Sequence, residues 1–151
     1  MTYNNRLIGK DIPVEKRRAA LETNYKHWPR ETLSTHFAKV SQSFANEPYI
    51  YINDEMITYK DVWLQARHYA KAMLQMGVKR RDHVAILMQN DLHYPSLFIA
   101  TSMIGAVFVP LNTMLHKDEL AYILTQSDAK YLFFHQTIKR THYEKMILEL
   151  L

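Results

Sequence analysis

Eight histidines and no cysteine limit the chemistry open to this 151-residue chain. A transition-metal site needs imidazole, thiolate or carboxylate groups that converge, as when two histidines share one helical face in His-Glu-x-x-His. His83 is followed by His93, and His135 by His142 with Glu144 close behind, but no His-Glu-x-x-His run occurs. These spacings predict separate imidazoles, exposed or partly buried, rather than a metal centre. Without cysteine there are no disulfides, thiolate ligands or sulfur nucleophiles. Ser96 and Ser102 fall within a predicted helix, not on the strained strand-to-helix elbow that activates a serine. Asp54 and Glu55 sit on a predicted hairpin turn, where turn chemistry accounts for them. No catalytic, metal-binding or cofactor-binding residue is assigned on these grounds.

Glycine decides a second question. A phosphate cradle needs several glycines close together, so that backbone N–H groups can converge on the anion. The chain has three, Gly9, Gly77 and Gly105. Neither a dinucleotide fingerprint nor a P-loop can be built from them.

The elements that must position any site follow from periodicity. A polar lead occupies residues 1–30, in which "IPVEKRRAALE" suits a short helix with Pro13 at its first position. "ETLSTHFAKVSQSFANEP" puts Leu33, Phe37, Val40 and Phe44 on one helical face, with Pro48 as the stop. "YIYINDEMITY" reads as a β-hairpin turning on Asn53-Asp54-Glu55. Thr58 and Asp61 form a capping-box pattern ahead of a helix whose stripe is Tyr59, Val62, Trp63, Ala66, Ala70, Met73 and Leu74, ended by Gly77.

From residue 83 the texture alternates. "HVAILM" is a continuous apolar run, as expected of a strand covered on both faces. "NDLHYPSLFIATSMIG" is helical, with Asn90 or Asp91 as cap and Pro95 in the first turn. "AVFVP" is a second buried strand, "KDELAYILTQSD" a helix with acids in its first turn, "KYLFFH" a third strand and "IKRTHYEKMILELL" a final helix. Strand–helix–strand–helix–strand with short connections predicts an α/β fold: half of a parallel, doubly wound sheet, preceded by helices and a hairpin. In such sheets ligands sit at the carboxyl ends of strands, which draws attention to the loop at Pro110 and Asn112.

The formal charge of +4 comes from small groups: Lys16-Arg17-Arg18, Lys79-Arg80-Arg81 and Lys139-Arg140. No aromatic residues are interleaved with them and no nucleic-acid motif surrounds them, so solvated faces and helix ends are expected rather than a nucleic-acid surface. Met1–Arg18 has no apolar core of the kind a secretory signal requires, and the longest apolar stretch, Leu97–Leu111, is interrupted and too short to span a bilayer. A cytoplasmic protein with no membrane span is the expectation.

"TYKDV" opening a helix that closes on "MGV", then "DHVAILMQN", "IGAVFVPLN", "KDELAYIL" and "SDAKYLF", taken in order from about Thr32 to Phe134, closely resemble the start of the AMP-forming adenylate ligases. That superfamily includes acyl-CoA synthetases, aryl-CoA ligases, luciferases and peptide-synthetase adenylation domains. Asn112 in "VFVPLN" is similar to the acid–CoA ligases, whereas adenylation domains usually carry aspartate there, so a fatty or related carboxylic acid is the implied substrate. The resemblance implies two steps: attack of a carboxylate on the α-phosphorus of Mg-ATP, giving acyl-adenylate and pyrophosphate, then displacement of AMP by the thiol of CoA. It also implies that the phosphate-binding loop, the magnesium glutamate, the ribose aspartate and the C-terminal lysine lie downstream. None can be placed on this chain. The family usually has Gly-Asp where this chain has Arg81-Asp82, and a positive φ there would load Arg81 with about 1 kcal/mol of strain.

Residues 31–151 are accordingly expected to be the amino-terminal portion of an adenylate-forming domain, incomplete and inactive alone. Its partner would be the missing downstream polypeptide, and ATP, Mg and CoA would serve only the full-length enzyme. The apolar ending "MILELL" suits a face covered by that polypeptide. The alternative is a stand-alone, non-catalytic interaction module derived from the family.

Overall fold

The computed structural model describes residues 12–27 and 30–150. They fall into two units that divide between Glu31 and Thr32. In the first, helix α1 (Val14–Asn24) begins directly after Pro13, whose carbonyl accepts a hydrogen bond from the Arg17 N–H. Pro13 is therefore the cap rather than the first helical residue, and α1 has no buried residue.

The second unit starts with α2 (Leu33–Ser43), capped by the Thr32 hydroxyl, which accepts from the Thr35 N–H at 3.1 Å. Phe37 and Ser41 are its buried positions, and Leu33 is exposed. The helix ends before Phe44, earlier than the stop expected at Pro48. The intervening backbone instead meets the chain after Thr58, with the Tyr59 and Lys60 N–H groups donating to the Glu47 and Ala45 carbonyls.

Strands β1 (Pro48–Ile52) and β2 (Glu55–Thr58) form the expected hairpin. Its loop is only Asn53-Asp54, because Glu55 pairs with Ile52. Asn53 takes a φ of +54°, a left-handed conformation that asparagine tolerates better than most side chains. Helix α3 (Tyr59–Gln75) then opens on the full capping box: the Thr58 N–H donates to Asp61 Oδ2 at 2.9 Å and the Asp61 N–H to Thr58 Oγ1 at 3.2 Å. Val62, Ala66, Ala70 and Met73 are buried as their spacing predicts, while Leu74 is exposed. At the other end Gly77 N–H bonds Leu74 O and Val78 N–H bonds Met73 O, with Gly77 at φ +91°. This paired closure requires the left-handed residue that glycine supplies without strain.

Three strands form the parallel sheet, in the order β4 (Val107–Pro110), β3 (His83–Leu87), β5 (Ala129–Phe134). Central β3 is fully buried from Val84 to Leu87 and serves both faces by simple alternation. Val84 and Ile86 join the core built with α2, α3 and helix α4 (Tyr94–Ile104). Ala85 and Leu87 join a second core with Leu120 of helix α5 (Lys117–Gln126) and with Tyr143 and Ile147. Helices on both faces of a parallel sheet make the fold a doubly wound α/β arrangement, with the hairpin and α2 alongside. β4 is a strand as expected, but it lies at the sheet edge and is not buried, and Val107 is 41% exposed.

The amino end of the sheet is tied by Asp82, largely buried, which accepts from Lys130 Nζ at 2.7 Å and from the Lys79 N–H at 2.9 Å. The Lys130 hydrogen bond, ahead of the Lys79 N–H, holds the Asp82 carboxyl below its ordinary range, and Asp82 raises Lys130 in return. Beside it Arg81 has a φ of +70°, the strained left-handed conformation considered for that turn from the sequence.

The predicted final helix is mostly not one. Thr137–Ile138 (β6) and Thr141–His142 (β7) pair as a small antiparallel ribbon around Lys139, whose φ is +54°, and α6 covers only Tyr143–Leu148. The ribbon buries Ile138 and delivers Tyr143 into the second core, where its hydroxyl donates to the Thr113 carbonyl. Ile147 is buried and Met146 and Leu150 pack against the same core, so Leu148 is the one strongly exposed apolar residue among Met146–Leu150. Among the described residues no helix is long and apolar enough to cross a membrane.

Candidate functional site

The order β4–β3–β5 makes β3 a switch point: the chain leaves β3 through α4 to one neighbour and returns through α5 to the other. Open α/β sheets take ligands outside the carboxyl ends of strands at such a point, because loops diverge there and leave a crevice. The crevice residues come from three segments, 88–93 after β3, 111–116 after β4 and 135–136 after β5.

A hydrogen-bonded chain crosses this edge. Tyr69, from α3, shares a hydrogen bond of 2.8 Å between its hydroxyl and His93 Nδ1. Asp91 Oδ1 accepts from the backbone N–H groups of His93 and Tyr94 at 2.8 and 3.0 Å. Its Oδ2 lies 2.9 Å from His135 Nε2, and the His135 N–H donates to the Leu87 carbonyl at 3.1 Å. One carboxylate thus starts α4 and joins the end of β3 to the end of β5. Asp91 is expected as a cap from sequence and acts as one through its side chain, although His93 is the residue that directly precedes the helix. Burial, with a lesser contribution from Asp91, pushes the Tyr69 hydroxyl pKa up. Beside this chain is a half-open cavity of about 250 Å³ lined by Tyr69, Met88, His93, Leu97, Phe133 and Phe134.

The loop after β4 is organised for structure. Leu111 is buried and its N–H donates to the Ile86 carbonyl. Asn112 Oδ1 accepts from the Met114 N–H at 2.9 Å, so the side chain shapes its own turn. His116 opens α5 by donating its N–H to Glu119 Oε2 at 2.8 Å.

The histidines are placed separately. A His83 ring N–H donates to the Ser127 carbonyl at the amino end of the sheet, and His142 Nδ1 is 3.3 Å from the Thr137 hydroxyl. The exception is His135, which Asp91 pairs with across 44 residues and so brings to the His93 end of α4, a meeting that spacing could not show. Ser96 is buried and donates to Gln65 Oε1, and Ser102 lies within α4. Tyr69 is not among the residues of the α3 stripe predicted from the sequence, and its partnership with His93 depends on the folded chain.

Neither a nucleotide nor its metal fits these residues. Segments 88–93, 111–116 and 135–136 contain no glycine, lysine or arginine to meet a triphosphate. Gly77 and Gly105 both lie before the amino ends of strands, where they close α3 and α4. Among the described residues no three His, Asp or Glu side chains gather as a metal site.

Known proteins agree with the fold and extend it. Residues 37–150, three quarters of the chain, match the family described as AMP-binding enzyme. The acyl-CoA ligase sidI of Aspergillus fumigatus is 33% identical over 93 residues, covering 62% of this chain and 16% of that protein. The long-chain-fatty-acid–CoA ligase FadD13 of Mycobacterium tuberculosis is 33% identical over 81 residues, covering 54% of this chain and 16% of its own length. The crystal structure of the N-terminal domain of FACL13 from Mycobacterium tuberculosis superposes with a TM-score of 0.65 at 26% identity, over 69% of this chain and 27% of that one. The match therefore spans only about one sixth of the curated relatives. On the extent of the family match, the chain belongs to the AMP-binding enzymes, the AMP-forming ligase superfamily.

Proposed function

We propose that this polypeptide is the amino-terminal part of an AMP-forming acid–CoA ligase and that it cannot adenylate a carboxylic acid alone. The reading rests on one combination: a family match over residues 37–150 with a carboxyl edge whose three segments contain no glycine, lysine or arginine, Lys117 at the start of α5 being paired with Glu149 at 2.8 Å. The chain supplies part of the scaffold, a doubly wound sheet whose carboxyl edge borders the reaction space. Phosphate binding, magnesium binding and transfer to CoA belong to polypeptide beyond residue 151, with ATP, Mg and CoA acting in the longer enzyme. A fatty or related carboxylic acid is the proposed substrate class, on the strength of Asn112 and of relatives named as long-chain-fatty-acid and acyl-CoA ligases.

The test is carboxylate-dependent exchange of pyrophosphate into ATP, with a panel of fatty and aromatic acids. The purified chain is expected to give background rates with every acid. Exchange above background would overturn the claim of inactivity.

A further inference from the structure

The cavity beside the Tyr69–His93 pair is not needed for the scaffold role, and its chemistry defines what it can take. Its walls are apolar: Met88, Leu97, Phe133, Phe134 and the ring of Tyr69. At about 250 Å³ it exceeds the roughly 150 Å³ apolar cavity that accepts benzene, so a single substituted ring fits. No lysine or arginine lines it, and the carboxylate of Asp91 is held against the His93 and Tyr94 N–H groups and His135. An anionic ligand would have to leave water with no cation to replace it.

The polar end is equally defined. A tyrosine hydroxyl both donates and accepts, and only one of those roles is used on His93 Nδ1 at 2.8 Å. Whichever tautomer His93 holds, the unused role can be met by a ligand hydroxyl, which also has both. The His93 backbone N–H is held by Asp91, whose second oxygen binds His135, so the start of α4 that carries the imidazole is tied to the end of β5.

We propose that this cavity, at the carboxyl ends of β3 and β5, binds a small neutral aromatic molecule carrying one hydroxyl group. The ring lies against Phe133, Leu97 and Met88, which share one face of the sheet, and the hydroxyl meets Tyr69. The site does not depend on the ligase reading, since it uses only residues present in this chain.

The test is saturation-transfer NMR with p-cresol, toluene and benzoate, run with the unaltered chain and with Tyr69→Phe. p-Cresol is expected to bind, toluene more weakly and benzoate not at all. Tyr69→Phe keeps the ring and removes the hydroxyl, so p-cresol affinity should fall by about threefold to tenfold, the worth of one hydrogen bond, while toluene is unchanged. His93→Ala, at an exposed position whose side chain bonds Tyr69 but makes no capping bond to α4, gives a second variant, with its fold checked by circular dichroism. It should weaken p-cresol similarly. Absence of p-cresol binding, benzoate binding as tightly as p-cresol, or equal p-cresol affinity in both variants and the unaltered chain would each overturn the proposal.

Discussion

Replacing Arg81 by glycine should stabilise the protein, and the size of the gain follows from one dihedral angle. Arg81 is exposed and holds a φ of +70°, while its N–H donates to the Gly105 carbonyl at 2.9 Å. A side-chain-bearing residue in that region costs about 1–2 kcal/mol. Glycine removes the cost but gives the unfolded chain extra freedom worth about 0.5–1 kcal/mol. The expected net gain is about 0.5–1 kcal/mol, a rise in Tm of about 1–4 °C for a domain of this size. Arg81→Ala is the control, because it removes the same side chain and keeps the strained backbone. Thermal and urea unfolding of the two variants read the difference directly. Equal stability of the glycine and alanine variants would refute the reasoning, since backbone conformation is all that separates them.

Four further outcomes follow. Leu120→Ala, at a fully buried position on the α5 face, should cost about 2–5 kcal/mol in urea unfolding. Thr58→Ala, which removes half of the capping box, should cost about 1 kcal/mol without changing the urea m-value. Because the Asp82 carboxyl is held below its ordinary value of 3.8, its share of stability is present above that value and lost as pH falls through the depressed one. Acid unfolding of Asp82→Asn should therefore lack that share of the pH dependence. Tyr143→Phe leaves the Thr113 carbonyl without its donor and should cost about 1–3 kcal/mol, read in the same urea assay.

Local signals carried most of the architecture, and they failed where long-range packing decided. The capping box at Thr58, the stripe of α3, the closures at Gly77 and Gly105 and the apolar run of β3 each depend on neighbours within a few residues. Those elements formed as their patterns predict. The stretch from Ile138 to His142 is predicted as the start of the final helix, yet a β6–β7 ribbon forms there, which buries Ile138 and places Tyr143 under the loop after β4. That contact joins residues 30 apart. The exposure of β4 was hidden for a related reason: "AVFVP" is as apolar as β3, and only the strand order shows which of them is at the edge. At the candidate site, the role of Asp91 as a cap was legible, while its pairing with His135 and the meeting of Tyr69 with His93 depend on the folded sheet. The loop at Asn112 was rightly singled out as a carboxyl-end loop, but its side chain is spent on its own turn.

The account stands or falls on whether these residues can hold a nucleotide's phosphates. Isothermal titration of Mg-ATP into the purified chain measures that without any need for the acid substrate. Heats no larger than dilution are predicted, because the carboxyl edge presents no converging glycine N–H groups and its lysine, Lys117, is paired with Glu149. Tight uptake at one nucleotide per chain would contradict it.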